Sequence, residues 1–390
     1  MSTAPIARDP IVGLLLDDGY VLAYRNCHLI VRQIPYRTAS GEIAYGMLAY
    51  PVTFAGDTVV DDTKDHTIWF IGETPHETDG SPIAGASAQT RNIAPGLDAS
   101  FLISQKPKSG SYANQYDKVS SYARILSHPA QALDPRVTPT PGATWEADED
   151  DLPFVYPDTA TTRAGLGELS RTFQGHTIAI VGLGGTGGYI LDQVSKTPVK
   201  RIILIDGDLF ENHNAYRAPG AADLEELRDW PNKVDYFKNV YSKMHTGIET
   251  HAEYLHVGNL HLLSDATFVF LAAADAAGLT SVVSWLEQRG TPFIDVGMGI
   301  AEKLGKLTGT LRVTNHFDGP KTSPSTPDQA ISAHEDVYDR NIQVADLNAL
   351  NALLAVAEWK RHLGYYATCE PAGEVLYGLY MNDIRTVVNT

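Results

Sequence analysis

The sequence predicts an α/β protein: a doubly wound, Rossmann-like, mostly parallel sheet in the C-terminal part, preceded by a β-rich α+β domain. Three observations carry this. Residues 178–181 form an apolar run, five glycines follow between Gly182 and Gly188, and a helix-like segment leads to a second apolar run at 202–205 that ends on Asp206. Strand, glycine loop, helix, strand and acidic residue is the order that a mononucleotide-binding fold requires. From Arg171 onward, strand and helix patterns alternate, whereas the first 135 or so residues are short apolar runs broken by Gly, Pro, Asp and Asn.

Length and composition narrow the possibilities. At 390 residues the chain exceeds one typical domain and predicts two or three. A net charge of -17 argues against non-specific binding to nucleic acid or an anionic membrane, which needs a basic face. Any phosphate must therefore be met by a few local cations. Two cysteines, Cys27 and Cys369, exclude a disulfide scaffold and a thiolate zinc site built on paired CxxC motifs. The N-terminus lacks a basic-then-apolar signal pattern, and no run of about 18 apolar residues occurs, so a soluble cytoplasmic protein is expected.

In order along the chain, residues 1–135 read as a β-rich module of unassigned role, with a helix at 116–126 ended by His128-Pro129. Tyr116, Val119, Tyr122, Ala123 and Leu126 make its apolar face. His66, Glu73 and His76 lie in strand and turn contexts without metal-ligand spacing and read as polar residues rimming a strand end. Residues 136–158, with four prolines and an acidic cluster, read as a solvated interdomain linker, a docking strip for a basic partner being the alternative. The second domain, 159–390, continues with a helix at 230–244, a strand at 250–254 and a buried strand at 268–272. A helix at 279–288 and strands at 292–296 and 309–315 come next. The Pro-, Ser- and Thr-rich segment 316–330 reads as a mobile crossover before a long helix at 337–362 and a closing strand at 374–380.

The chemistry concentrates on the glycine loop and on residues 206–233 beyond it. A glycine loop opening a helix presents backbone N–H groups and a positive helix end to a phosphate, and Gly182, Gly184, Gly185 and Gly187 let the backbone approach closely. Asp206 occupies the position of a ribose-binding acid. Asp208, Asn214, Arg217 and Lys233 go further than a dinucleotide site requires. Two added cations point to a triphosphate, because charge neutralisation is the main demand of phosphoryl chemistry. Asp275 ends the strand FVFLAAAD on the same crevice, where a carboxylate can hold magnesium.

These residues resemble the adenylation domains of ubiquitin-activating enzymes and their bacterial relatives of the ThiF/MoeB type. The resemblance covers residues 160–385 and rests on VGLGGTGG, IDGDLFENHNAYR, PNK, AAAD and DVGMG. It implies that Asp206 and Asp208 hold the ribose side of ATP, that Asn214, Arg217 and Lys233 grip the phosphates, and that Asp275 binds Mg2+. Arg163 resembles the family's arginine that reaches the phosphates of the neighbouring subunit's ATP, with Arg171 as the alternative. The segments HTIWFIGETPHETDG and SYARILSHPAQALDP resemble a module fused to such domains in bacterial operons that encode ubiquitin-like proteins. The implied activity is adenylation of the C-terminal carboxylate of a ubiquitin-like protein. A homodimer is expected, with a conjugating enzyme as a further partner.

The acyl group's next destination stays open. The crossover 316–330 contains no cysteine; Cys369, beyond the long helix, is the candidate for a thioester, ahead of Cys27. Direct transfer from the adenylate is the other route, and Thr322, Ser323 and Ser325 are unactivated hydroxyls. The family's CxxC pairs are missing, so no zinc is expected. The alternatives are a sulfur-carrier-protein adenylyltransferase, a nicotinamide-dependent oxidoreductase, for which no hydride-transfer acid or base stands out, and a degenerate scaffold that only recruits partners.

Overall fold

The structure is a computed structural model that describes residues 9–60, 65–94, 96–142, 144–145, 152–273, 276–317, 342–369 and 372–387. The chain divides into two units, Met1–Gly167 and Glu168–Thr390. No helix among the described residues is long and apolar enough to cross a membrane.

The first unit opens with a helix that the sequence pattern did not reveal, α1 (Pro10–Asp17). Pro10 stands in its first turn, where a missing N–H costs nothing, and Asp9 Oδ1 caps Ile11 and Val12 at 2.9 and 3.0 Å. Strands β1 (Val21–Arg25), β2 (His28–Arg37), β3 (Ile43–Pro51), β4 (Phe54–Ala55), β5 (Thr58–Val59), β6 (Thr67–Ile71), β7 (Ala86–Ala94) and β8 (Leu97–Ser104) succeed it. Next come α2 (Gln115–Gln131), β9 (Thr144–Trp145) and α3 (Thr159–Arg163). The main sheet runs β7-β8-β6-β3-β2-β1-β9 and is antiparallel except where β9 lies parallel to β1. Part of the stretch expected to be a linker is thus a sheet strand. Helix α2 covers one face through Val119, Tyr122, Ala123 and Leu126, all fully buried. It does not stop at His128-Pro129: the helix continues through Pro129 to Gln131. Proline there falls in the last turn, and both Pro129 and Ala130 are buried, so packing overrides the local stop signal.

The second unit begins at α4 (Gly167–Ser170) and carries β10 (Thr177–Val181), α5 (Gly185–Val194), β11 (Arg201–Ile205), α6 (Asn212–Ala215), α7 (Leu224–Arg228), α8 (Lys233–Tyr241) and β12 (Ile248–His251). After these come β13 (Phe268–Leu271), α9 (Ala276–Arg289), β14 (Phe293–Lys303), β15 (Lys306–His316), α10 (Ala345–His362), β16 (Glu374–Gly378) and β17 (Asp383–Val387). The eight strands lie in the order β12-β11-β10-β13-β14-β15-β16-β17. The first five are mutually parallel and the rest antiparallel.

The parallel strands read as unbroken apolar runs because both faces are covered. Ile178, Ile180, Ile202 and Leu204 pack with Ile190, Val234 and Trp359. The alternate residues Ala179, Val181, Ile203 and Ile205 pack with Leu263, Val282 and Leu286 on the other face. Each such fully buried aliphatic side chain is worth about 1.5–3 kcal/mol.

Several boundaries move. The strand expected at 250–254 is Ile248–His251, which releases residues 253–255 into a loop. The strands expected at 292–296 and 309–315 are the two arms of one long hairpin, β14–β15, turned by Leu304 and Gly305, both at positive φ. Glycines 297, 299 and 309 weaken the alternation that marks a strand in sequence, and β17 lacks it because its residues are nearly all exposed. The crossover lies largely outside the described residues, as do residues 337–341 of the helix expected at 337–362.

Candidate nucleotide site

From β10 the chain first builds β11 on one side and later places β13 on the other. In open α/β sheets, ligands collect at the crevice outside the carboxyl ends of strands that part in this way. A cavity of about 540 Å³ lies there, lined by Val181, Gly182, Gly184 and Ala272 and, on its polar side, by Asp206, Asp208, Arg217 and Lys233.

The loop glycines serve different ends. Gly182 has φ +86°, and a Cβ on it would sit 2.8 Å from the Ala272 carbonyl. A Cβ on Gly187 would stand 1.9 Å from the Gly182 oxygen, and one on Gly185 would stand 2.0 Å from Asn348 Nδ2 of α10. These three glycines close the loop and admit a neighbouring helix. Gly184 alone of the four has nothing within 4 Å of the added atom, and it lines the cavity. It is also the N-cap of α5 and brings no side-chain cap, so the first-turn N–H groups of this 10-residue helix are left to other partners.

Asp206 and Asp208 also divide their work. Asp206 is 7 % exposed, and its carboxylate accepts the Leu183 N–H at 2.6 Å and the Asp208 N–H at 2.8 Å, fastening the glycine loop to the next strand. Both line the cavity, and Asp208 is the more exposed of the two. It accepts from Lys233 Nζ at 2.5 Å and from the Tyr254 hydroxyl. Burial pushes its carboxyl up, but the hydrogen bonds from Lys233 and Tyr254 and the neighbouring positive charges outweigh this, so its pKa lies below the ordinary value.

Lys233 opens α8, is 5 % exposed and also lies 3.8 Å from Asp206 Oδ1. Arg217 is half-buried, and its Nε is shielded from solvent without a hydrogen-bond partner among the described residues. Burial pulls its guanidinium pKa down, against the opposing charge of Asp208. Asn214 is 3 % exposed; its Oδ1 accepts the Glu211 N–H at 2.9 Å, while its Nδ2 is buried and unpaired. Arg217 and Lys233 line the cavity, and Asn214 does not.

Other residues singled out from the sequence lie elsewhere. Asp275 and the hydroxyls Thr322, Ser323 and Ser325 are outside the described residues. Arg163 is exposed at the end of α3 in the first unit. Cys369 is exposed beyond α10, and Cys27 is half-buried in the β1–β2 turn at φ +56°. His66 meets Ser104 Oγ at 3.1 Å and His76 meets the Thr74 carbonyl at 2.9 Å. Among the described residues no three His, Cys, Asp or Glu side chains gather as a metal site.

Sequence reasoning missed four groups. Glu253 and Tyr254 line the cavity from the loop after β12, and Gln343 lines it from just before α10. Asn348 is 0 % exposed, accepts from Thr186 Oγ1 at 3.1 Å and leaves Nδ2 unpaired. Asparagines at 348 and 351, one turn apart in an otherwise apolar helix, were the available signal.

No curated protein matches the chain. A domain of unknown function, DUF6791, matches residues 12–159. Among solved structures, MccB of E. coli with MccA-N7isoASN is similar at 17 % identity and TM-score 0.45, over 56 % of this chain and 66 % of MccB, just under two thirds of its length. MccB of E. coli with ATP is similar at 17 % identity and TM-score 0.46, over 60 % of this chain and 72 % of that one. PaaA is similar at 20 % identity and TM-score 0.44, over 57 % and 75 %. The ThiF family model matches residues 161–370, more than half of the 390, and the protein belongs to the ThiF family.

Proposed function

We propose that the protein is an adenylyltransferase that activates the C-terminal carboxylate of a small ubiquitin-like protein with ATP. The observation that carries this is a buried donor without a partner among the described residues, Arg217 Nε, on a cavity that Lys233 and Gly184 at the uncapped start of α5 also line. An unpaired buried donor costs about 1–3 kcal/mol, and a phosphate oxygen removes that cost.

In this reading the substrate carboxylate attacks the α-phosphorus, the bond to the bridging oxygen breaks, and pyrophosphate leaves. Arg217 and Lys233 neutralise the charge that collects on the phosphates, and Gly184 lets the backbone come close. Lys233 exchanges its Asp208 partner for the phosphates, which frees Asp208 for a ribose hydroxyl. No general base is required, since the attacking carboxylate is already ionised.

The described cavity residues include three carboxylates, Asp206, Asp208 and Glu253, against the two cations Arg217 and Lys233. A triphosphate therefore brings its own divalent cation, and magnesium held by phosphate oxygens and one or two carboxylates fits that need. Bound there, it neutralises phosphate charge; Asp275 is the carboxylate assigned to it. A homodimer in which Arg163 reaches the partner's phosphates, and a thioester on Cys369, belong to the same proposal.

The test is ATP:pyrophosphate exchange stimulated by a glycine-ended ubiquitin-like protein. Arg217→Ala is expected to lower exchange by about 100-fold or more without loss of fold. Exchange at the wild-type rate in that variant refutes the site assignment.

A further inference from the structure

Asp208 is held at both of its carboxylate oxygens. Lys233 Nζ donates to Oδ2 at 2.5 Å, and the Tyr254 hydroxyl donates to Oδ1. The two donors differ in what a triphosphate does to them. Lys233 is a cation that the phosphates draw away, whereas the phenol carries no charge for them to draw. The bond to the carboxylate also raises the Tyr254 pKa, so the hydroxyl keeps the proton it donates.

The chain around Tyr254 is built to present that hydroxyl. Asn259, 6 % exposed, donates from Nδ2 to the Tyr254 carbonyl at 3.0 Å and to Glu253 Oε2 at 2.7 Å, while its Oδ1 accepts the His256 N–H at 2.8 Å. Just beyond it, Leu260 and Leu263 anchor the chain in the core with Val181 and Ile205. The Tyr254 ring lies against Gly207, where a Cβ would come within 2.8 Å of it. That ring is 65 % exposed, so burial does not explain its place over Gly207.

We propose that Tyr254 is a positioning residue, which keeps the Asp208 carboxylate in place on the cavity wall once a nucleotide has drawn Lys233 away. This rests on the adenylation reading, in which Asp208 meets the ribose. A carboxylate oxygen accepts more than one hydrogen bond, so Oδ1 serves Tyr254 and a ligand hydroxyl together. Asp208 is half-exposed, which leaves the ligand an approach. A carboxylate ordered beforehand spares binding the cost of ordering it.

Two substitutions take the hydroxyl from Asp208 by different routes. Tyr254→Phe deletes it. Gly207→Ala pushes the exposed ring aside, at a residue without the positive φ that would bar alanine. The experiment is equilibrium binding of ATP and of 2′,3′-dideoxy-ATP, which lacks the ribose hydroxyls, to the full-length protein. Each variant is expected to bind ATP about threefold to tenfold more weakly than wild type, the range of one hydrogen bond, and to bind the dideoxy nucleotide as wild type does. A residue that only stiffened the loop would weaken both nucleotides alike. Unchanged or tighter ATP binding in either variant, an equal loss for both nucleotides, or equal binding of both by wild type overturns the proposal and leaves adenylation standing. Absence of ATP binding to wild type overturns both.

Discussion

The two ends of the parallel sheet use buried polar groups in different ways. At the amino ends of the strands three of them, at His245, Thr267 and Arg201, are paired off, although Trp359 Nε1 and Asn315 Oδ1 are not, among the described residues. His245, fully buried, donates from Nε2 to the Val199 carbonyl at 2.9 Å and accepts the Gly247 N–H on Nδ1 at 3.1 Å. Thr267 Oγ1 bonds both the N–H and the carbonyl of Thr177, and Arg201 pairs with Glu249 and Asp265. At the carboxyl ends, Arg217 Nε, Asn214 Nδ2 and Asn348 Nδ2 are buried without partners, and Lys233 is held by a carboxylate that a ligand can replace. Satisfied groups hold the fold, and of the unsatisfied donors Arg217 Nε belongs to a residue that lines the cavity, where a ligand can meet it.

The sharpest way to break this contrast lies inside the glycine loop itself. Gly187→Ala places a methyl 1.9 Å from a backbone oxygen that cannot move aside without opening the loop, and a loss of about 3 kcal/mol or more is expected. Gly184→Ala meets nothing within 4 Å, so its thermal midpoint is expected within a few degrees of wild type while ATP binding is lost. Equal thermal midpoints in the two variants contradict the division of labour among the glycines.

The amino end makes a pH prediction. Burial drives the His245 pKa from the ordinary 6.5 down to about 4, against the pull of the Val199 carbonyl. The unfolded chain takes up a proton below pH 6.5 that the folded chain refuses until about pH 4, so this contribution is complete above pH 6.5 and is lost as pH falls toward 4. The loss amounts to about 3 kcal/mol. Urea unfolding at pH 7 and pH 4.5 should show a stability difference that shrinks in His245→Gln, whose amide keeps a donor and an acceptor but does not titrate. An undiminished difference assigns the acid sensitivity to other groups.

A smaller effect compares the two aspartates. Asp206→Asn replaces an acceptor of two backbone N–H bonds by a group with a single acceptor oxygen, and should cost about 1–3 kcal/mol. Asp208→Asn keeps an acceptor for Lys233 and leaves Asp206 as the carboxylate near that ammonium, so it should cost less than Asp206→Asn and change the nucleotide KM as well. Denaturation midpoints and exchange kinetics on both variants separate the roles.

The strands 178–181 and 202–205, the glycine loop and the cations 217 and 233 were legible because each is a local pattern: an apolar run, a turn that excludes Cβ, a charge at a helix start. Legibility failed where local and tertiary signals conflict. Pro129 marks a stop that burial overrules, and Tyr254 reads as the end of a strand yet folds back onto Asp208.

By itself the sequence determined that a doubly wound α/β sheet exists, where its glycine loop lies and which charges follow it in the chain. Only the tertiary structure decided which glycine is open, which aspartate is the more exposed, and that Glu253 and Gln343 share the cavity. The physical reason is that periodicity and spacing record a residue's relation to its chain neighbours. Whether a polar atom is satisfied depends on groups from other strands and helices, brought to it only by the fold.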